Sequence, residues 1–283
     1  MTAFQLFLAP AKINLFLHIT GQRADGYHTL QSVFRLLDFY DTIHIKPTKS
    51  GKIKRVNEIN GVPESQDLCA LAAYALQKET GCLLGCEYRI EKRIPMGGGL
   101  GGGSSDAATM LLTLNTLWGL NLSREALIKI GLTLGADVPV FIFGQNAWAE
   151  GLGEILSPID LAPQFYVVLT PQVHVSTAQV FANSALTKDT KPLKIADFSE
   201  AMDSNLFRND LENVVCKEFP AVASTLKWLN QYGQARMSGS GASVFVTVDS
   251  MQKGNEILAQ KPANTGGFVA KGLDKHPLFE LTK

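Results

Sequence analysis

An α+β protein built in two halves is the fold class this sequence predicts. The chain has 283 residues, 46% of them hydrophobic, which is the size and composition of one large or two ordinary globular domains. Segments with period-two apolar patterning are interleaved with alanine- and leucine-rich helical segments in both halves. Between them Gly151-Leu152-Gly153 and Pro158 loosen the chain, which predicts a boundary near Pro158 and units of 1–158 and 159–283.

Residues 4–19 read as an extended stretch interrupted by Pro10, with Ile13, Leu15 and Leu17 alternating against Lys12, Asn14 and Phe16. Lys12 and Asn14 share one face, so Lys12 is either a solvated edge residue or a cation aimed into a site. A turn-rich loop at 21–28, with the pair Asp25-Gly26, leads to a second apolar strand at 30–39, and 42–45 continues as strand. Residues 46–65 are polar, contain Pro47, Gly51, Gly61 and Pro63, and predict a surface excursion without chemistry. Helical propensity over 68–78 ends at Gly81. Cys86, Tyr88 and Ile90 then alternate with charged residues in a half-buried strand that delivers the chain to Pro95. Beyond the glycines that follow, Ala107, Ala108, Leu111, Leu112, Leu114, Leu117 and Trp118 mark a helix ended by Gly119. Ser123 caps the next helix, which carries Glu125 in its first turn and runs to Gly135. Asp137 stands just past it, a carboxylate at the edge of the apolar element 138–143.

In the second half, an apolar strand at 165–169 is ended by Pro171, and one helix is predicted over 214–228. A glycine- and serine-rich turn at 236–243 feeds a strand at 244–248. A helix at 251–260 and a strand at 267–271 complete an open α+β sandwich.

Lys plus Arg and Asp plus Glu are equal at 26 each, so no global field draws the chain to nucleic acid or an anionic membrane, and a small-molecule partner is expected. Residues 1–10 lack a basic and apolar leader, and no uninterrupted apolar run reaches the length of about 18 residues that a membrane span needs; a cytoplasmic protein is expected. Cys69, Cys82, Cys86 and Cys216 are too few and too irregular for a disulfide framework, and Cys82 with Cys86 has no second pair at zinc-ligand spacing. They read as reduced, buried small hydrophobes.

Six glycines fall within the seven residues 97–103, broken only by Leu100, and Ser104, Ser105 and Asp106 follow at once. So much glycine loses entropy on folding, and its usual purpose is close approach of bare backbone to a ligand. The run formally satisfies G-x-G-x-x-G between a strand and a helix. A dinucleotide site also needs an acidic residue about 20 positions on, where this chain has Asn121-Leu122-Ser123 opening a helix. A P-loop needs a terminal Lys-Ser or Lys-Thr, also missing. What remains is a backbone anion nest at the start of a helix, aimed at phosphate, with the two serine hydroxyls as added donors.

The run Pro95-Met96-Gly97-Gly98-Gly99-Leu100-Gly101-Gly102-Gly103-Ser104-Ser105-Asp106-Ala107-Ala108 resembles the nucleotide loop of the galactokinase, homoserine kinase, mevalonate kinase and phosphomevalonate kinase (GHMP) superfamily. Four further blocks extend the resemblance in family order: Ala9-Pro10-Ala11-Lys12-Ile13-Asn14-Leu15, Arg23-Ala24-Asp25-Gly26-Tyr27-His28, Gly135-Ala136-Asp137-Val138-Pro139 and Ser238-Gly239-Ser240-Gly241-Ala242. Together they are similar to the branch that acts on a CDP-linked methylerythritol. The resemblance implies an N-terminal α/β nucleotide-binding domain, a C-terminal ferredoxin-like α/β sandwich and an active site in the cleft between them. It also implies transfer of the ATP γ-phosphoryl group to the 2-hydroxyl of the CDP compound, a step of non-mevalonate isoprenoid synthesis, with magnesium accompanying ATP.

By the same resemblance, Lys12 and Asp137 are catalytic, Asp137 accepting or orienting the proton of the attacking hydroxyl and Lys12 lying beside it. Residues Pro95 to Ser105 hold ATP. Asn14, Tyr27, His28 and Phe181 contact substrate, with Tyr27 stacking on cytosine, His28 bonding the base edge and Phe181 as the opposing aromatic. The turn at 238–242 lines the cleft and supports the loop. The family's Asp-Asn-Leu, whose asparagine holds adenine, is replaced here by Gln66-Asp67-Leu68, and an ionised aspartate accepts but cannot donate. No carboxylate is marked as a magnesium ligand. Two other functions stay open on sequence: another kinase of this superfamily, and a nucleotide-binding module without chemistry.

Overall fold

In the computed structural model, which describes residues 3–200 and 206–282, the chain opens on a long antiparallel hairpin of β1 (Gln5–Gln22) and β2 (His28–Thr48). Pro10 does not interrupt β1. The strand runs through it with a register shift between Pro10 and Ala11, because a residue with no N–H is tolerated at a bulge. The apolar segments 30–39 and 42–45 are likewise one strand. β3 (Ile53–Arg55) lies inside the polar stretch that reads as a plain excursion, and pairs in parallel with β4 (Gly85–Glu91).

Helix α1 (Leu68–Thr80) is capped by Asp67, whose carboxylate accepts from the Cys69 amide, and stops at Gly81 in a left-handed conformation. Helix α2 (Gly102–Leu117) begins inside the glycine run, earlier than its first alanine. Helices α3 (Arg124–Leu132) and α4 (Val138–Phe143) follow, α3 capped by Ser123. The apolar element beyond Asp137 is thus a short helix. Pro139 sits in its first turn, where a missing N–H removes no helix bond. Strands β5 (Ala147–Glu150) and β6 (Ile155–Pro158) pair with each other, and β5 also pairs with β2.

In the second half, β7 (Phe165–Pro171) precedes the short helices α5 (Thr177–Ala182) and α6 (Ile195–Glu200). The single helix expected over 214–228 is two, α7 (Glu212–Glu218) and α8 (Pro220–Leu229). Apolar periodicity continues across the junction, but Pro220 would clash with the preceding turn and instead starts the second helix. Strands β8 (Arg236–Met237) and β9 (Val244–Val248), helix α9 (Met251–Ala259) and strand β10 (Thr265–Leu273) complete the half. Its sheet has the antiparallel order β10-β7-β9-β8, with α8 and α9 packed against it. β10 also touches β2 through Gly272 and Leu273, so the two sheets join edge to edge. The architecture is a two-domain α+β fold.

Among the described residues three apolar cores hold the fold. One lies between the first sheet and α1 to α4, where Leu76, Tyr88, Leu111, Leu112 and Phe141 are fully buried with Cys69 and Cys86. Each such leucine contributes roughly 1.5–3 kcal/mol relative to exposure. A second fills the C-terminal half around Val167, Val215 and Val246. The third is an aromatic cluster of Phe16, Trp148, Phe198 and Phe207, centred on Phe16 with ring centroids 5.3 to 5.8 Å away.

The C-terminal segment returns to the first half. Arg124 donates to the carbonyls of Phe279 and Thr282 at 2.6 Å, and His276 Nδ1 accepts from the Leu278 amide at 3.0 Å. Burial, and then Arg124, push the His276 pKa down from 6.5 to about 3. The folded chain therefore keeps this ring neutral where the unfolded chain protonates it. Its stabilising share is complete above about pH 6.5 and is lost as pH falls toward about 3. His276→Asn keeps an acceptor but cannot titrate. Denaturant melts should show the variant losing about 2 kcal/mol less stability than the parent between about pH 7 and about pH 5; equal losses would remove His276 from the acid response.

Candidate active site

A cavity of about 1270 Å³ runs between the halves. It exceeds the roughly 300–1,000 Å³ of a single small-molecule pocket and has room for two ligands end to end. The glycine loop, Lys12, Asn14 and Asp137 line it, as do Tyr27, His28 and Phe181. Lys12 and Asn14 pair with Leu36 and Phe34 along the β1–β2 hairpin, whereas His28 pairs with Gln22 at its tip, which sets the aromatic end apart.

The loop is clamped from both halves. The Lys12 amide on β1 donates to the Leu100 carbonyl at 3.0 Å. From the C-terminal half, Ser238 Oγ donates to the Gly99 carbonyl at 2.9 Å, and the Ser243 amide donates to the Gly98 carbonyl at 3.1 Å. Gly99 and Gly101 have φ of +73° and +72°, which side chains other than glycine rarely adopt. A Cβ at Gly99 would overlap the Ser238 carbonyl oxygen, and one at Gly101 would lie 2.8 Å from the Phe141 ring. Helix α2 starts directly after Gly101 with no side-chain cap, which leaves first-turn amides for an anion.

Lys12 has only 3% of its side chain exposed, which excludes the solvated-edge alternative. Its Nζ donates to Asn14 Oδ1 at 2.7 Å, lies 3.2 Å from Asp137 Oδ2 and sits 5.2 Å from the centre of the Phe34 ring. Asn14 in turn donates to Ser32 Oγ at 2.7 Å, and Ser32 Oγ donates to the Phe16 carbonyl at 2.6 Å. This chain holds the ammonium in one place. Asp137 occupies the position that caps α4, yet its carboxylate makes no capping bond. It faces Lys12 and the cavity instead, with 36% of its side chain exposed. A paired carboxylate with open access can accept a proton from an incoming hydroxyl.

At the far end Tyr27 is 65% exposed, a flat face beside the cavity. The His28 ring lies 5.5 Å from Phe181 at 34°, and its buried Nε2 has no partner among the described residues. Burial, and then Lys188, lower the His28 pKa. The structure thus brings the sequence-predicted site residues to one cavity with one exception. Ser105, expected to add a hydroxyl donor, does not line it, because its place in the first turn of α2 turns its side chain into the protein, where it is fully buried.

Sequence reading passed over Lys188, which lies in a polar loop but reaches this end of the cavity. It also passed over Ile59 and Val62, which line the cavity from the segment read as a surface excursion. Asp67 departs from a base-reading role in a specific way: one oxygen caps α1, while the other accepts from Arg55 at 2.9 Å and from the Tyr88 hydroxyl at 2.8 Å.

Residues 67–145 match the family described as GHMP kinases N terminal domain, and residues 188–262 match GHMP kinases C terminal. Over 277 residues the chain is 54% identical to the 4-diphosphocytidyl-2-C-methyl-D-erythritol kinase of Thiobacillus denitrificans, covering 98% of both. The chain belongs to the 4-diphosphocytidyl-2-C-methyl-D-erythritol kinase family of GHMP kinases. The member of that family from Nitrosospira multiformis is 53% identical, with 97% of this chain and 93% of the relative covered. A crystal structure of a 4-(cytidine 5'-diphospho)-2C-methyl-D-erythritol kinase superposes with a TM-score of 0.83 at 32% identity, covering 95% of this chain and 99% of that one. A mevalonate kinase structure, at 17% identity and a TM-score of 0.70 over 96% of this chain and all of that one, shares the fold. Among the described residues no helix is long and apolar enough to cross a membrane.

Proposed function

We propose that this chain is an ATP-dependent kinase that phosphorylates the 2-hydroxyl of 4-diphosphocytidyl-2-C-methyl-D-erythritol, in isoprenoid precursor synthesis by the non-mevalonate route. The observation that carries the reading is the Lys12–Asp137 pair, 3.2 Å apart and lining one cavity together with a phosphate-type loop and an aromatic subsite. Loop amides and the α2 terminus hold the triphosphate. The substrate hydroxyl oxygen attacks the γ-phosphorus, the bond to the β-bridging oxygen breaks, and ADP leaves. The hydroxyl proton passes to Asp137, while Lys12 balances charge at the reacting centre. A loose transition state needs little base strength, so Asp137 aligns the hydroxyl as well as taking its proton.

Among the described residues no group of three His, Cys, Asp or Glu side chains could hold a metal ion. Magnesium would therefore be held through ATP phosphates and water, and its chemistry is neutralisation of phosphate charge. The division between the domains falls at Pro158, where β6 ends, and we place the protein in the cytoplasm.

Tyr27, His28 and Phe181 hold the cytosine. Stacking on an aromatic contributes about 1–3 kcal/mol, so Tyr27→Ala should weaken CMP binding by roughly five- to hundredfold in a titration. Unchanged affinity would remove Tyr27 from the base site. The substrate class is tested by comparing ADP release with the CDP compound, mevalonate and homoserine at equal concentrations. The CDP compound should be preferred by more than about a hundredfold in kcat/KM, since the other two lack the base; equal or reversed preference would point to another kinase of the superfamily.

A further inference from the structure

A second ionic cluster lies against the glycine loop, apart from the Lys12–Asp137 pair. Lys92 Nζ donates to Asp41 Oδ2 and, at 2.6 Å, to Asp106 Oδ2. Asp41 Oδ1 accepts the amides of Arg93 at 2.5 Å and Ile94 at 2.8 Å, the two residues that lead into Pro95. Gly102, the first residue of α2, packs so closely here that a Cβ would stand 3.1 Å from Ile94 Cγ2 and 3.4 Å from Asp41 Oδ2. Asp106 belongs to α2 itself. The cluster therefore ties the entry of the loop, through Asp41, to its exit helix, through Asp106, with Lys92 as the hub.

Its charges do not balance. Two carboxylates share one ammonium, and their side chains are 0% and 5% exposed. Asp106 Oδ1 is buried without a partner among the described residues, a position that suits a protonated oxygen better than a charged one. Burial raises the Asp106 pKa to about 7, with Lys92 opposing and Asp41 and Asp67 adding to the rise. The groups facing it are Asp41 from β2, Lys92 after β4, and Asp67 and Cys69 from α1. Arg55 already pairs with Asp67 at 2.9 Å, and burial pushes the Cys69 thiol well up, so it stays neutral. Lys92 and Asp106 both border the cavity.

We propose that Asp106 is a positioning residue of the nucleotide loop that takes up a proton when nucleotide phosphates bind beside it, so that nucleotide affinity falls as pH rises through neutrality. The inference rests on the ATP reading above. Bound phosphate charge disfavours ionised Asp106 and raises its pKa in the complex. By linkage the protonated protein binds more tightly. Affinity is highest below the pKa of the free protein, falls as pH rises through it, and levels off above that of the complex.

The test is calorimetric titration with ADP between about pH 6 and about pH 8.5, on the parent, Asp106→Asn and Asp106→Ser. Titration of the nucleotide's own phosphate is common to all three and cancels in the ratio of dissociation constants. The ratio of parent to variant should rise about three- to tenfold across the range, corresponding to a shift of roughly half to one pKa unit. In the parent at about pH 8, heats in two buffers of different ionisation enthalpy should show uptake of a fraction of a proton per ADP. A pH-independent ratio, or no uptake in the parent, overturns the proposal; if neither variant folds, the parent's proton count decides it. No ADP binding by the parent at any pH would overturn the ATP reading as well.

Discussion

Asp137→Asn is expected to lower kcat by about 100- to 10,000-fold while leaving KM for ATP within a few fold, the span attributed to a positioned acid–base group. The substitution preserves size and removes charge. Lys12 keeps its bond to Asn14 at 2.7 Å, so the ammonium stays in place while its 3.2 Å carboxylate partner is lost. The side chain caps nothing, which makes α4 insensitive to the change. Loss of turnover with intact folding and ATP binding therefore isolates the chemistry, and near-normal turnover would end the assignment.

The second large effect is expected at Gly99. Alanine there must adopt φ near +73° and would collide with the Ser238 carbonyl while lying 3.0 Å from that of Gly241. The strained backbone alone costs about 1–3 kcal/mol. Relief requires the loop to leave the 238–243 turn, giving up the bond from Ser238 Oγ. Gly99→Ala should thus raise KM for ATP more than about tenfold, equivalent to about 1.4 kcal/mol, and lower the melting temperature. Gly103→Ala is the comparison: its Cβ would meet only Leu68 Cδ1 at 3.5 Å, and it lies within α2, where alanine is favoured by up to about 1 kcal/mol. Equal destabilisation by both would contradict the clamped loop.

Much of this was legible in the chain because it is local. The order strand, glycine loop, helix follows from alternation at Cys86, Tyr88 and Ile90 and from helical spacing after Ala107, and period-two patterning alone puts Lys12 and Asn14 on one face. What was not legible depends on residues distant in sequence. Nothing near Asp137 indicates that its carboxylate turns from its own helix to a lysine on β1. Family resemblance supplied that pairing, and the fold supplies its geometry. Likewise Asp41, Lys92 and Asp106 sit in three separate segments, each unremarkable by itself, and meet only when β2, β4 and α2 pack. The two-helix break at Pro220 was visible as a residue but masked by apolar spacing that continues through it.

Transfer of a phosphoryl group from ATP to the CDP compound, aligned by Asp137, is most directly tested by phosphorus NMR of the complete reaction with magnesium. A new phosphomonoester resonance, coupled to the carbon that bears the 2-hydroxyl and formed in step with ADP, is the predicted result. Inorganic phosphate as the sole new product, or a substrate recovered unchanged, would contradict it.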